Sequence, residues 1–234
     1  MDQGTLGSPG PHADPESVTA RLASVRGRIL AAGGDPARVR VVAVTKGFGV
    51  EACRAALQAG LADLGENYAG ELIEKAVAVG EPCRWHFLGA VQRNKVARLA
   101  RHVALWQGVD RAEEGEAILE HAGRAQVLVE VDTTGLPERG GVAPEEVEPL
   151  VERLRHLGLV VRGLMTVAPP PGLSPGGTER AFETLAGLGS RLEVEELSMG
   201  MSDDFELAVA HGSTMVRLGR ALFGPRPGPG GMSQ

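Results

Sequence analysis

Lys46 closes the apolar run Arg40–Thr45 (RVVAVT). A lysine in that position packs its stem against the strand and holds its amine at the strand's end. Partial loss of water penalises the ammonium form, and the neutral amine that results attacks carbonyl carbon, the chemistry of Schiff bases. A second set of residues lies late in the chain. Ser198-Met199-Gly200-Met201-Ser202-Asp203 joins a strand to a helix, and Arg217-Leu218-Gly219-Arg220 ends the last strand. Small residues let backbone N–H groups approach a ligand, and a helix N-terminus favours an anion. Asp203 and Asp204 oppose an anion there, but acidic residues also suit the first turn of a helix as caps. An amine nucleophile and an anion cradle together suit an aldehyde that carries a phosphate.

Elements must bring these groups together. Asp14-Pro15 reads as an N-cap with proline at the first helical position, and Val18, Leu22, Val25 and Ile29 follow at helical spacing until Gly33-Gly34. Strand and helix signals then alternate. Strands are expected at 40–45, 62–65, 85–88, 103–106, 126–131, 159–166, 196–199 and 214–218. Helices are expected at 50–59, 68–79, 94–101, 112–122, 144–157, 178–188 and 203–211, with a short turn at 221–223. Short strands that are apolar on both faces and separated by helices argue for a parallel sheet. About eight such units favour one closed (β/α)₈ TIM barrel, preceded by an extra N-terminal helix, over an open sheet. In such barrels chemistry sits at the C-terminal strand ends. The polar residues there are Lys46, Glu66-Asn67, His86, Gln107, Asp132, Thr166, Ser198 to Ser202, Arg217 and Gly219-Arg220.

Composition narrows the function classes. The chain has 234 residues, 43% of them hydrophobic and 23% charged, enough for a full core. A net charge of −6 without a basic patch argues against nucleic acid. The two cysteines, Cys53 and Cys83, read as small buried hydrophobes and not as a disulfide or metal pair, and no metal site is expected. The N-terminus lacks the basic and apolar regions of a signal peptide, and no apolar run approaches the ~20 residues of a membrane span. The expectation is a soluble, cytoplasmic protein. Residues 1–13 and 225–234 (PRPGPGGMSQ) read as disordered tails around one domain at 14–224.

The segments VVAVTKGFGVEACRAALQAG, LGENYAGE, WHFLGAVQRNK, RGLMTVAP and LSMGMSDDFELAVAHGSTMVRLGRALFG resemble the YggS/PROSC family, the pyridoxal phosphate homeostasis proteins, from about Ser17 to Gly224. The resemblance implies the alanine racemase-like, fold-type III barrel that binds pyridoxal 5′-phosphate (PLP). It implies Lys46 as the lysine of the covalent aldimine. It implies Ser202, Gly219 and Arg220 at the phosphate, partly through backbone amides, and Arg217 at the pyridine nitrogen. It further implies Asn67 as a neighbour of the lysine or ring, and Met165 and Thr166 at the end of the strand beneath the cofactor. Ser198 and Gly200 shape the loop. Two positions depart from the family: Thr45 stands where serine is common, and Ala90 where histidine is frequent after the glycine of the WHF segment.

The resemblance favours a cofactor handler without catalytic residues. A guanidinium stays protonated and leaves the ring nitrogen neutral, which weakens the ring as an electron sink. Related racemases add a tyrosine from a second, β-rich domain, for which this chain is expected to have no room. Its tyrosine, Tyr68, lines the pocket or packs in the core. An aldimine open to water suits exchange of cofactor, with PLP-dependent apo-enzymes as partners and the protein a monomer. A weak amino-acid racemase and a Schiff-base aldolase remain as alternatives, the aldolase with Glu66 and His86 as its acid/base pair. Trp85-His86 with Arg93 and Lys95 could form a surface patch for a second cofactor or a client enzyme; the blander reading makes Trp85 core and the two cations solvated. The loop Thr134–Gly141 is a lid or a plain connection.

Overall fold

The computed structural model describes residues 14–80, 83–136, 139–169 and 174–226. The N-terminal tail expected at 1–13, and the C-terminal one from 227 onward, lie outside the described residues. Eight parallel strands close into a barrel in chain order: β1 Arg40–Val44, β2 Asp63–Glu66, β3 Arg84–Phe87, β4 Val103–Val109, β5 Gln126–Glu130, β6 Val160–Met165, β7 Glu196–Ser198 and β8 Met215–Leu218. Closure comes from β8 pairing with β1, Arg40 opposite Met215 through Ala43 opposite Leu218. The extra helix α1 is Pro15–Ala31, and the outer ring is α2 Val50–Gln58, α3 Ala69–Val79, α4 Arg93–Leu99, α5 Ala112–Ala122, α6 Val147–Leu157, α7 Gly177–Arg191 and α8 Phe205–Ala210, with a final turn α9 Arg220–Phe223. None of these helices is long and apolar enough to cross a membrane.

Local chemistry sets the boundaries. Asp14 accepts from the Ser17 N–H at 2.9 Å, which caps α1, and Val18, Leu22, Val25 and Ile29 form its buried face. α1 packs that face against α2, α8 and α9. β4 runs three residues past its expected end, so Gln107 lies inside the strand and not after it. The register with β5 shifts between Trp106 and Val109, around Gly108. A Cβ at Gly108 would lie 2.6 Å from the carbonyl oxygen of Gly89, so only glycine admits that approach. α8 begins two residues later than expected because Asp204 accepts from the Met201 N–H at 2.6 Å and ties 201–204 into a turn.

The strands bury two shells. Outward residues such as Ala43, Leu64, Trp106, Val129, Leu164 and Val216 pack against the helices, and inward Val42, Leu105, Leu128, Met165 and Met215 form a separate cluster inside the barrel. Ion pairs close the N-terminal end of the barrel: Arg84 with Asp63, and Arg40 and Arg162 with Glu196.

Candidate functional site

Alternation along a strand sends every second side chain to the same face. Counting by two from the inward residues selects the site. Lys46 follows Val42 and Val44, Asn67 follows Asp63 and Gly65, Leu88 follows His86, and Arg217 and Gly219 follow Met215. Together with Met165, Ser202 and Arg220 they line one cavity of about 360 Å³ at the C-terminal mouth of the barrel, within the size range of small-molecule sites. A larger groove of about 690 Å³ between α4 and α5 is lined mainly by surface charges, Arg93, Arg111 and Glu116 among them.

Lys46 is half-buried. Its pKa lies below the ordinary lysine value, first because burial penalises the ammonium, then because Arg226 and Arg217 repel it; Glu66 and Glu71 pull the other way. Arg217 is buried at the cavity floor. Its Nη1 donates to the Ser198 carbonyl at 2.7 Å and to the Ser198 hydroxyl at 2.8 Å, and its Nη2 donates to the Thr166 carbonyl at 2.8 Å. Burial lowers its pKa to about 10, opposed by Glu130 and Asp204, so it remains charged at neutral pH. Burial pushes the nearby Glu130 carboxyl up to about 7 against the attraction of Arg217 and Arg139.

Seven of the ten residues named from the sequence meet in the cavity: Lys46, Asn67, Met165, Ser202, Arg217, Gly219 and Arg220. Thr166, Ser198 and Gly200 lie one layer beneath and hold Arg217 instead; the Gly200 carbonyl accepts from the Arg217 N–H at 3.0 Å. At the rim, Ser202 Oγ accepts from the Ala221 N–H at 3.1 Å, which binds the loop after β7 to α9. The Arg220 guanidinium pairs with Asp203, both exposed, so its charge is partly spent within the protein.

Other sequence candidates sit elsewhere. Glu66 points outward to α3, where Lys75 Nζ donates to it at 2.6 Å and Thr45 Oγ1 at 2.7 Å. His86 is buried deep in the barrel between Asp63 and Gln107. Trp85 is core, and Arg93 and Lys95 are solvated, so the four residues form no common surface patch. Tyr68 is 64% exposed, outside both the core and the cavity. Asp132 caps the loop at 134–141 by accepting from the Thr134 and Gly135 N–H groups at 2.8 and 3.1 Å; residues 137 and 138 lie outside the described residues.

Sequence reasoning missed Arg139 and Arg226, which bring two more cations to the cavity wall. The surrounding PRPGPGG hides Arg226 in the composition of a tail. The structural signal is Gly47, at φ +73°, where an added Cβ would lie 3.2 Å from the Arg226 side chain.

Residues 14–227 match the family model of the alanine racemase N-terminal domain. The chain is 38% identical over 219 residues to a pyridoxal phosphate homeostasis protein of Pseudomonas aeruginosa, covering 90% of this chain and 95% of that protein. Among solved structures, PipY of Synechococcus elongatus superposes with TM-scores of 0.80 without PLP and 0.75 with PLP bound. The identities are 32% and 33%, over 88% of this chain and all of PipY. An alanine racemase of Bacillus anthracis, 17% identical with a TM-score of 0.70 over 95% of this chain and 60% of its own length, shares the barrel fold. The chain therefore belongs to the pyridoxal phosphate homeostasis, or YggS/PROSC, branch of the alanine racemase N-terminal domain family.

Proposed function

We propose that this protein binds PLP in the barrel mouth, with Lys46 as its covalent anchor, and holds and releases the cofactor for apo-enzymes without catalysing a reaction of its own. The observation that carries this reading is that Lys46 and Arg217 line one cavity. Bound there, PLP would supply an aldehyde, and Lys46 would hold it by condensing its amine with that carbonyl, with loss of one water.

The residues present fit the group. Of the five N–H donors of Arg217, three are taken by Ser198 and Thr166, which leaves donors for an unprotonated ring nitrogen. Ser202, Gly219, Arg220 and Arg226 line the same cavity. There a hydroxyl, a glycine backbone and cations suit a phosphate. α8 has six residues and α9 four, so these short helices contribute little dipole, and the cradle rests on the named groups.

The same geometry weighs against the other readings. Among the described residues the cavity wall offers no tyrosine, histidine or glutamate, and its one carboxylate, Asp203, is paired with Arg220. A racemase lacks its second base there, and the aldolase lacks Glu66 and His86. Arg217 beside the ring nitrogen would also keep the ring a poor electron sink.

The test is a visible spectrum with borohydride reduction and peptide mapping. Lys46 is expected to carry the label, and Lys46→Ala is expected to lose covalent retention while keeping its thermal transition. A label on another residue, or retained colour in pure Lys46→Ala protein, would overturn the assignment. Reconstitution of an apo-enzyme by the loaded protein, without turnover of free amino acids, tests the handling role.

A further inference from the structure

Behind the cavity runs a buried chain of side chains that neither the anchoring of PLP nor the packing of the barrel requires. Arg84 donates to both oxygens of Asp63, at 2.8 and 2.6 Å, at the closed end of the barrel. His86 Nε2 lies 2.9 Å from Asp63 Oδ1. Gln107 Nε2 lies 2.7 Å from His86 Nδ1. The Ser198 hydroxyl donates to Gln107 Oε1 at 2.7 Å and accepts from Arg217 Nη1 at 2.8 Å. The side chains belong to β2, β3, β4, β7 and β8, and all but Arg84 are buried.

The two ends fix every role between them. A guanidinium can only donate and a carboxylate can only accept. Ser198 Oγ accepts from Arg217, so its own proton goes to Gln107 Oε1. The Gln107 amide nitrogen then faces His86, which must present the lone pair of Nδ1 and carry its proton on Nε2, toward Asp63. The opposite orientation of the Gln107 amide would place its carbonyl oxygen 3.1 Å from the sulfur of Met215, where the present orientation sets an N–H donor on that sulfur. The result is a one-way relay with a neutral imidazole at its centre.

We propose that Ser198, Gln107 and His86 are positioning residues, a relay from the Asp63 carboxylate at the barrel floor that locks the guanidinium of Arg217 against the cofactor's ring. The inference rests on the placement of PLP above. Buried networks in which each donor has one acceptor specify a single arrangement, because any rotation strands a polar group without a partner. Arg217 therefore meets its ligand without first having to be ordered.

Two measurements test the relay. In the cofactor-free protein, ¹⁵N resonances of His86 are expected to show a protonated Nε2 and an unprotonated Nδ1. An imidazolium, or a proton on Nδ1, overturns the relay. In the loaded protein, Ser198→Ala and Gln107→Leu are expected to shift the absorption maximum of bound PLP in the same direction as Arg217→Gln. They are also expected to weaken retention by about fivefold, while Ser198→Thr restores both. A merely structural role would lower thermal stability and leave the spectrum unchanged, and that outcome also overturns the relay. Should a variant fail to fold, the histidine resonances of the unaltered protein decide alone. If Lys46 takes no label and Arg217→Gln leaves the spectrum unmoved, the placement of PLP fails and the relay with it. If Lys46 is labelled and Arg217→Gln shifts the spectrum while the relay variants do not, the relay alone fails.

Discussion

The amine of Lys46 shares its surroundings with two guanidinium groups, and Arg226 is the larger of the two repulsions that lower its pKa. Arg226→Gln removes a like charge, so the Lys46 pKa should rise and less neutral amine should exist at a given pH. The midpoint of covalent capture plotted against pH is expected to move upward, as measured by the rate of appearance of the cofactor band. Glu130 gives a second prediction. Its folded-state pKa of about 7 lies above the ordinary 4.5, so the native state holds the proton more tightly than the unfolded chain. Stability from this group is therefore undiminished below about pH 4.5, falls as pH rises toward 7, and stays at its lowest above that. Glu130→Gln should be more stable than the parent at pH 8, by about 1–3 kcal/mol, and nearly equal at pH 4.5. Thermal melts at the two pH values check this. A residual slope should persist, because burial also raises Glu114 to about 7.

At the scale of elements, β2 and α3 are joined by a buried ion pair. Glu66 is fully buried, and Lys75 donates to it, to the Thr45 carbonyl at 2.9 Å and to Glu71 at 2.9 Å. Lys75→Met leaves the Glu66 charge without a counter-charge, the Thr45 hydroxyl alone still donating to it, and should cost about 3–5 kcal/mol. The double variant Lys75→Met with Glu66→Leu should recover most of that loss, as read from denaturant midpoints; equal midpoints for single and double variants would sink this account. The pair also marks how much of the site was legible. Lys46, Arg217 and the Gly219-Arg220 turn stood out because each ends an apolar run, and the alternation of runs made the barrel visible. Glu66 and Asn67, by contrast, were read as one unit, and alternation separates them: Asn67 faces the cavity and Glu66 faces α3. His86 and Gln107 were read as mouth residues because a polar residue usually marks the end of an apolar run. Here partners from other strands satisfy them inside the barrel, Asp63 on β2 for His86 and Ser198 on β7 for Gln107, and no window of sequence displays such partners.

For the molecule as a whole, the closed barrel makes the cavity a property of the entire chain. Its walls come from β1, β6 and β8 and from the segments after β1, β2, β3, β5, β6, β7 and β8, so no small subset of strands builds a partial site. Refolding apo-protein in the presence of PLP is expected to show covalent capture with the same rate constant as recovery of native fluorescence from Trp85 and Trp106. Capture that precedes native fluorescence would count against this picture.

The pairing of β8 with β1 has a further consequence, in the order of synthesis. Lys46 leaves the ribosome about 170 residues before Arg217, which is roughly ten to thirty seconds at ordinary elongation rates. Through that interval the proposed anchor exists and the proposed cradle does not. Arg226, the last cation to arrive, settles against Gly47, the residue next to the first. On the proposed placement, a nascent chain is expected to hold no PLP until β8 pairs with β1, and the bound cofactor becomes a mark of closed barrels.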